Sequence, residues 1–267
     1  MIIPVTGPPA WGKGVPGQPD FGLLGWKSEA IAHLCAADEK LCRLIERIGP
    51  CGLEPRVQHS LFFSLLRAIV YQQLAGKAAA AILARVEALF PGHEFVLPDD
   101  IIDAPDELLR SAGLSRGKVA AVRDLAAKTL DGTVPTLAQA HEMTDQEIVD
   151  RLVRIRGIGV WSAEMLLIFR LGRPDVLPLD DYGIRKGFQV TFGTRQLPGK
   201  QQLLRRGERW RPYRSVASWY LWRAAESAPP RRKSPKDLHK TAEARPKAST
   251  EGGGKPGTRK KPGRRRR

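Results

Sequence analysis

The sequence has few cysteines and no long apolar segment. Its three cysteines, Cys35, Cys42 and Cys51, form no CxxC pair. An odd number without that spacing argues against a disulfide scaffold and against a zinc site, and it fits a reducing cytoplasm. Cys35 and Cys42 share one face of any helix that contains both, so we expect burial. No stretch is long enough to span a bilayer, and the first residues do not resemble a signal peptide.

Acidic residues are also scarce, with 28 Asp and Glu against 44 Lys and Arg, which gives a net charge of +16. Most of this excess lies in residues 229–267, where fifteen basic residues face three acidic ones. That segment is rich in Pro and Gly and has almost nothing to bury, so we predict a disordered tail. Its charge predicts contacts with phosphates that do not depend on sequence, and a solubilising appendage is the alternative.

Apolar residues spaced three and four apart predict helices through almost all of residues 28–228. Residues 1–27 are rich in Gly and Pro, and we expect an irregular lead-in there. Few segments alternate with period two, so no sheet is expected. Short breaks separate the helices at Gly49-Pro50, Pro91-Gly92, Gly113, Gly132 and Gly157. The pattern predicts an all-α domain of about eight to ten helices.

Two glycines lie between amphipathic segments in LVRIRGIGVWSAEM, residues 152–165. A helix that ends near Ile155 and another that starts near Val160 leave Gly157 and Gly159 in the turn. Glycine is required where φ is positive or where a partner approaches the backbone closely. The first amides of the second helix have no intrahelical acceptor, so they can bind an anion such as a DNA phosphate. An ordinary tight turn explains the pattern equally well.

Two adjacent acids, Asp180 and Asp181, follow an apolar run and precede a new helix in VLPLDDYGIRKGF, residues 176–188. The helix dipole favours an ionised carboxylate at this position. A carboxylate beside DNA repels phosphate, so its presence favours a catalytic role, with helix capping as the alternative.

These two segments resemble the helix-hairpin-helix DNA glycosylase superfamily, and within it the 3-methyladenine glycosylases of AlkA type. The match extends upstream to LLRAIVYQQLAGKAAAAILARV and downstream to ERWRPYRSVASWYLWRAAE, and it covers about residues 30–228. The resemblance implies two helical subdomains that flank an active-site cleft, and double-stranded DNA with damaged bases as the partner. It implies hydrolytic excision of alkylated purines, such as 3-methyladenine and 7-methylguanine, in base excision repair.

The resemblance identifies Asp181 as the catalytic carboxylate and leaves Asp180 as a cap or a support for the loop. Cleavage of an N-glycosidic bond builds positive charge on the deoxyribose, which a carboxylate stabilises. The carboxylate can also act as general base on the attacking water. Where lyase relatives have a lysine, this chain has Trp161, which implies a monofunctional enzyme without AP-lyase activity. Lys118 and Lys186 do not stand at the matching position.

The resemblance also places residues around the flipped base and along the DNA. Aromatic faces attract the cationic alkylated bases, and the residues that match the base pocket are Trp161, Tyr182, Trp222 and Met165. Core packing is the alternative for the two tryptophans. A wedge residue fills the gap that a flipped base leaves, and the match places it at Gln73 or its neighbour Leu74. For both residues a helix terminus is the alternative. The other expected DNA contacts are Arg116, Lys118, Arg156, Gly157, Gly159 and Val160.

The resemblance implies no required cofactor. The backbone carbonyls of Val153, Ile155 and Ile158 match those that hold a structural monovalent cation. No cysteine follows Cys51, so we expect no iron–sulfur cluster, and the short lead-in leaves no room for an N-terminal sheet domain. We expect a monomer in the cytoplasm. Two alternatives stay open: a related glycosylase for uracil, mismatched thymine, hypoxanthine or oxidised purines, and a non-catalytic DNA-binding module.

Overall fold

The computed structural model describes residues 23–55 and 60–227. The predictions for residues 1–22 and for the basic tail lie outside the described residues. Within these ranges the secondary structure is helical and no strand is present, so the predicted all-α class is confirmed. None of the helices found there combines the length and the apolar character needed to cross a membrane.

The helices are α1 (Leu23–Ala37), α2 (Glu39–Ile48), α3 (Leu61–Tyr71), α4 (Gly76–Ala88), α5 (Pro98–Asp103), α6 (Asp106–Ser111), α7 (Arg116–Leu130), α8 (Leu137–Glu142), α9 (Asp145–Leu152), α10 (Val160–Phe169), α11 (Tyr182–Phe192), α12 (Lys200–Gly207) and α13 (Arg214–Glu226), with a 3₁₀ turn at Glu208–Trp210. The described residues thus contain more helices than the sequence predicts. Three of them, α5, α6 and α8, have only six residues. Such short helices show no clear apolar periodicity, since they span less than two turns.

Helix α1 begins inside the predicted lead-in, at Leu23 and not after residue 27. Gly25 lies within α1, and one interior glycine costs a helix only about 1 kcal/mol relative to alanine. From Ala30 onward the helix packs into the core, with Ala30 and Leu34 fully buried. That burial outweighs the cost of the glycine, so the lead-in is shorter than predicted.

The helices form two groups around a shared core. Helices α3 to α10, from the middle of the chain, pack mainly around α3 and α7. Helices α1, α2, α11, α12 and α13 pack together, with the most extensive contact between α11 and α13. This arrangement agrees with the expected pair of helical subdomains. The chain passes from the first group to the second between α10 and α11, and the candidate site lies at that passage.

In the second group, a buried carboxylate links helices from the start and the end of the chain. Asp38 caps α2 by accepting the Leu41 N–H, and both carboxylate oxygens accept from the Arg206 guanidinium at 2.7 Å. The Trp210 indole donates to the same carboxylate at 3.2 Å. Burial raises the pKa of Asp38, but the hydrogen bonds from Arg206 and Trp210 bring this pKa below its usual value. The ion pair therefore ties the start of α2 to α12 and to the 3₁₀ turn.

The cysteine expectations were partly wrong. Cys35 lies on α1 and Cys42 on α2, and the two form a disulfide with Cα atoms 4.3 Å apart. The chain reverses at Asp38, between the two helices, and this reversal places both thiols side by side. Both cysteines are half-buried, whereas Cys51 is buried and free. Burial raises the pKa of the Cys51 thiol.

Candidate active site

The turn between α9 and α10 is the predicted hairpin. Gly157 has a φ of +83°, the left-handed region that favours glycine. Gly159 has a φ of −103°, and a Cβ there would meet no atom within 4 Å. Ile158, between the glycines, is buried in the core. No side chain caps α10, so its first amides lack an intrahelical acceptor and are suited to an anion.

Two side chains from the first group form hydrogen bonds with the backbone of this hairpin. The Asp124 carboxylate on α7 accepts the Arg156 backbone N–H at 2.7 Å, and the Gln72 side-chain amide donates to the Gly157 carbonyl at 2.7 Å. Burial raises the pKa of Asp124, but the Arg156 amide and the Lys128 ammonium bring this pKa below its usual value. The Arg156 side chain itself is exposed. The hairpin backbone is therefore fixed before any ligand binds.

Asp181 is the N-cap of α11 and accepts three hydrogen bonds. Its Oδ1 accepts the Ile184 backbone N–H at 2.7 Å and the Trp222 indole N–H at 2.9 Å. Its Oδ2 accepts the Trp161 indole N–H at 2.7 Å. Trp161 is the second residue of α10 in the first helical group, whereas Trp222 lies on α13 in the second. The two predicted pocket tryptophans therefore meet at the predicted carboxylate.

The hydrogen bonds leave the two oxygens of Asp181 unequal. A carboxylate oxygen accepts about two hydrogen bonds, so two donors fill Oδ1. Oδ2 has one donor and keeps room for another partner. Trp161, which contacts Oδ2, is 43% exposed, so this side of the carboxylate is close to solvent. All three donors are neutral, and the site can therefore present a fixed negative charge to a group that approaches Oδ2.

Asp180 has a different environment from its neighbour. It is exposed and forms an ion pair with Lys200, with 2.6 Å between Oδ1 and Nζ. Asp181, and not Asp180, caps α11. Of the two roles expected for Asp180, capping was wrong because the backbone brings only the second acid over the first turn of the helix. Support of the loop through Lys200 remains.

The other pocket residues surround this carboxylate to different extents. Tyr182 is 48% exposed, and Met165 is half-buried against the core. Phe169 lies four residues after Met165 on α10 and stacks on Trp222, with ring centroids 5.5 Å apart. Phe169 was not predicted from the sequence, although its spacing of four from Met165 was a signal. Trp222 thus both packs against the core and reaches the site.

Two glycines on α11 allow this arrangement, and neither was predicted from the sequence. A Cβ on Gly183 would lie 2.7 Å from Cδ1 of Trp222 and 3.0 Å from Oδ1 of Asp181. A Cβ on Gly187, one turn later, would lie 1.8 Å from the backbone oxygen of Leu221 on α13. The first glycine makes room for the indole, and the second allows the two helices to approach closely.

A second carboxyl group, also missed, lies beside the site. Glu164 is half-buried on α10, one turn after Trp161. Burial, followed by the negative charges of Asp180 and Asp181, raises the pKa of Glu164 to about 7, while Lys200 opposes the shift. The site therefore contains one carboxyl that changes its charge near neutral pH. A single glutamate within a helical pattern gave no signal of this.

The residues predicted to contact DNA lie around the hairpin and on the loop that faces it. Gln73 is exposed with a φ of +59°, and Leu74 beside it is half-buried. Arg116 is exposed at the start of α7, and Val160 is 53% exposed at the start of α10. The Lys118 ammonium donates to two backbone carbonyls at the end of α3. The contacts of these residues with DNA stay a prediction.

The three carbonyls predicted to hold a cation belong to the same hairpin turn. The Ile155 oxygen already accepts the Ile158 N–H at 3.0 Å, and a carbonyl oxygen can accept a second partner. Val153 is exposed, whereas Ile155 and Ile158 are buried. Elsewhere in the described ranges, no three His, Cys, Asp or Glu side chains lie close enough to form a metal site.

Comparison with known families decides the assignment. The family model described as "HhH-GPD superfamily base excision DNA repair protein" matches residues 66–212, more than half of the chain. The chain belongs to the HhH-GPD superfamily. The HhH-GPD match runs from the middle of α3 to just beyond the 3₁₀ turn, so it includes Gln73, the hairpin and Asp181. Trp222 lies beyond it.

Individual HhH-GPD relatives agree with this assignment. DNA-3-methyladenine glycosylase 1 of Schizosaccharomyces pombe is 35% identical over 202 residues, which cover 75% of this chain and 89% of that protein. The structure of S. pombe 3-methyladenine DNA glycosylase in complex with abasic DNA has a TM-score of 0.67 and covers 75% of this chain and 98% of that one. A DNA-3-methyladenine glycosidase from Bacillus halodurans is 35% identical, with a TM-score of 0.68, and covers 74% of this chain and 89% of that one.

Proposed function

We propose that this protein hydrolyses the N-glycosidic bond of alkylated purines in double-stranded DNA and leaves an abasic site. The observation that carries the proposal is the Asp181 carboxylate, held by the indoles of Trp161 and Trp222 at the start of α11. The relatives named as 3-methyladenine glycosylases support the same reaction.

The chemistry of the bond explains the use of a fixed carboxylate. As the base leaves, positive charge develops on the deoxyribose, and a preorganised anion stabilises that state most when it does not have to reorient. The three hydrogen bonds to Asp181 supply this order. Its Oδ2 keeps room for the sugar or for the attacking water, so the same atom can stabilise charge and orient the nucleophile.

The exposed aromatic side chains support a cationic base as the substrate. Trp161 and Tyr182 are about half-exposed beside Asp181, and aromatic faces attract cations. Purines methylated at N3 or N7 carry a positive charge and leave as neutral bases. The aromatic faces therefore select the charged substrate, while the carboxylate acts on its sugar.

We propose that the reaction ends at the abasic site, without AP-lyase activity. A lyase needs a free amine to form a Schiff base with the sugar. Trp161 occupies the hairpin position where the amine is expected. The nearby ammonium groups have other partners: Lys118 donates to carbonyls of α3, Lys186 to the Gln189 side chain, and Lys200 pairs with Asp180.

The same proposal assigns the contacts that hold the DNA. The amides around Gly159 and Val160 bind one phosphate, the side chains of Arg116 and Arg156 bind others, and Gln73 or Leu74 fills the gap left by the flipped base. We further propose that a monovalent cation bound by the carbonyls of the hairpin turn stiffens it. The protein would act as a monomer and require no other cofactor.

Duplexes that each contain one defined lesion test the proposal. We expect the protein to release 7-methylguanine and to give strand breaks only after alkali. Asp181→Asn keeps a side chain that caps helices well, so it should fold but lose about 10²–10³-fold in rate. Asp180→Asn is the matched control and should remain within about threefold of wild type, because an exposed ion pair contributes little.

Three outcomes would contradict parts of the proposal. Strand breaks without alkali would contradict the absence of lyase activity. Release of uracil but not of 7-methylguanine would contradict the substrate. Full activity of Asp181→Asn would contradict the role of this carboxylate.

A further inference from the structure

The loop between α3 and α4 contains a strained residue at its exposed tip. Gln73 has a φ of +59°, and in the part of the chain that the structure describes no other non-glycine residue has a positive φ. Side chains with a Cβ rarely adopt this region, so surrounding contacts must hold the backbone there. Residues with a strained backbone concentrate at functional sites such as active sites and ligand clamps.

The contacts that hold this backbone converge on Gln72. The Lys118 ammonium donates to the Gln72 carbonyl at 3.0 Å and to the Val70 carbonyl at 2.6 Å. These carbonyls stand at the end of α3, where the helix leaves its last acceptors unpaired. The Gln72 carbonyl belongs to the peptide that leads into Gln73. Lys118 therefore fixes the backbone immediately before the strained residue.

The same Gln72 also joins the loop to the hairpin. Its side-chain amide donates to the Gly157 carbonyl at 2.7 Å. One residue earlier, the Arg156 N–H donates to Asp124, which lies on α7 together with Lys118. Helix α7 thus contacts both the tip of the loop and the turn that is suited to a phosphate. These hydrogen bonds therefore set the distance between the tip of the loop and the hairpin turn.

The environment of Lys118 favours contacts with the protein backbone over contacts with DNA. Its side chain is half-buried, and burial lowers the pKa of its ammonium group. The α3 carbonyls replace part of the water that it loses. By contrast, Arg116, two residues earlier, is exposed and is free of such burial.

We propose that Lys118 is a positioning residue, which aims Gln73 into the DNA stack at a set distance from the hairpin phosphate site and does not bind phosphate itself. This inference rests on the proposed function. The wedge must enter the gap left by the same nucleotide whose phosphate the hairpin binds. An error in the distance between Gln73 and the hairpin therefore slows base flipping more than it weakens DNA binding.

The test compares Lys118→Met with Lys40→Met. Lys40 is a matched control because its ammonium also donates to a carbonyl at the end of a helix, that of Phe192, away from the loop and the hairpin. Single-turnover excision is measured for 7-methylguanine opposite cytosine and opposite an abasic analogue. Thermal melting monitors folding.

We expect Lys118→Met to slow excision opposite cytosine by at least about tenfold, because a misplaced wedge must still open a base pair. Opposite the abasic analogue the base has no pairing partner, and the loss should be below about threefold. Lys40→Met should match wild type on both duplexes. Equal losses of Lys118→Met on the two duplexes, or no loss on either, would overturn the proposal.

Salt dependence separates positioning from a phosphate contact. Loss of one phosphate contact lowers the slope of log affinity against log salt by about 0.9. We expect Lys118→Met to leave this slope unchanged, and a decrease of that size would overturn the proposal.

Gln72→Leu keeps the inference testable if Lys118→Met does not fold. It removes the bond to Gly157 and should reproduce the selective loss opposite cytosine; equal losses on both duplexes would again overturn the proposal. If the wild-type protein releases no base from either duplex, the proposed function fails. In that case the salt slope and the fluorescence of a 2-aminopurine in the stack still test the role of Lys118: the proposal requires an unchanged slope and weaker flipping in Lys118→Met.

Discussion

Replacing Gly187 with alanine should force α11 away from α13 and lower the melting temperature. The new Cβ would lie 1.8 Å from the oxygen and 2.5 Å from the carbon of the Leu221 carbonyl, both backbone atoms. Since Cβ contacts below 3.0 Å are essentially never observed, the helices must separate by about 1 Å within a close-packed core. Overpacking of this kind costs about 2 kcal/mol or more, which lowers Tm by roughly 4–8 °C.

Gly183→Ala, one turn earlier on the same helix, should act on the site itself and slow excision. Its Cβ would meet Cδ1 of Trp222 at 2.7 Å and Oδ1 of Asp181 at 3.0 Å, which are side-chain atoms. The indole must rotate away, and its hydrogen bond to Asp181 is then lost. A hydrogen bond to a charged group contributes about 1.5–3 kcal/mol. If the transition state uses all of it, excision slows by roughly 10–150-fold.

The two variants are compared by thermal melting and by single-turnover excision of 7-methylguanine below both transitions. We expect a lower Tm for both variants, and in addition slow excision for Gly183→Ala. A wild-type Tm for Gly187→Ala would show that the Leu221 backbone does not set the distance between the helices. Wild-type excision by Gly183→Ala would refute the use of the Trp222 hydrogen bond in the reaction.

Two further predictions concern titration and the buried ion pair. The folded-state pKa of Glu164 is raised from 4.5 to about 7, so the folded protein binds the extra proton and its stability should fall as pH rises from about 4.5 to 7, by roughly 1–3 kcal/mol. Urea unfolding of Glu164→Gln should lack this decrease, and an unchanged pH profile would contradict the shift. Asp38→Asn leaves Arg206 without its ion-pair partner and should cost roughly 3 kcal/mol in urea unfolding. The control Glu39→Gln breaks only the exposed pair with Arg43 and should stay within about 0.5 kcal/mol; equal losses would mean that the buried pair is no stronger than a surface pair.

Helical periodicity predicted the fold class because many of the helices bury one face, as α2 and α7 do. The three six-residue helices were missed, since their boundaries depend on Pro98 and on local caps such as Thr136 and not on a repeating apolar face. The disulfide between Cys35 and Cys42 was missed because it depends on where the chain reverses, which composition does not reveal.

The site was predictable where the function depends on the identity of a side chain. The resemblance pointed to Asp181, Trp161 and Trp222, and the structure brings them together. Contacts made by backbone atoms were not predictable, because any residue has a carbonyl. The bonds from Lys118 to the end of α3 and the close approach of Gly187 to Leu221 belong to this class. Both require the relative position of two helices that are distant in sequence.

The identity of the residue at the hairpin position also determines how much charge Asp181 presents. An ammonium at this position would form an ion pair with the carboxylate and cancel most of its negative charge. The indole of Trp161 donates one hydrogen bond and leaves that charge intact. In the proposed reaction the sugar becomes cationic, so its stabilisation depends on the charge that remains on Asp181. A neutral donor that orders the carboxylate without neutralising it therefore suits a hydrolase, and the ring face of the same residue stays available to a cationic base.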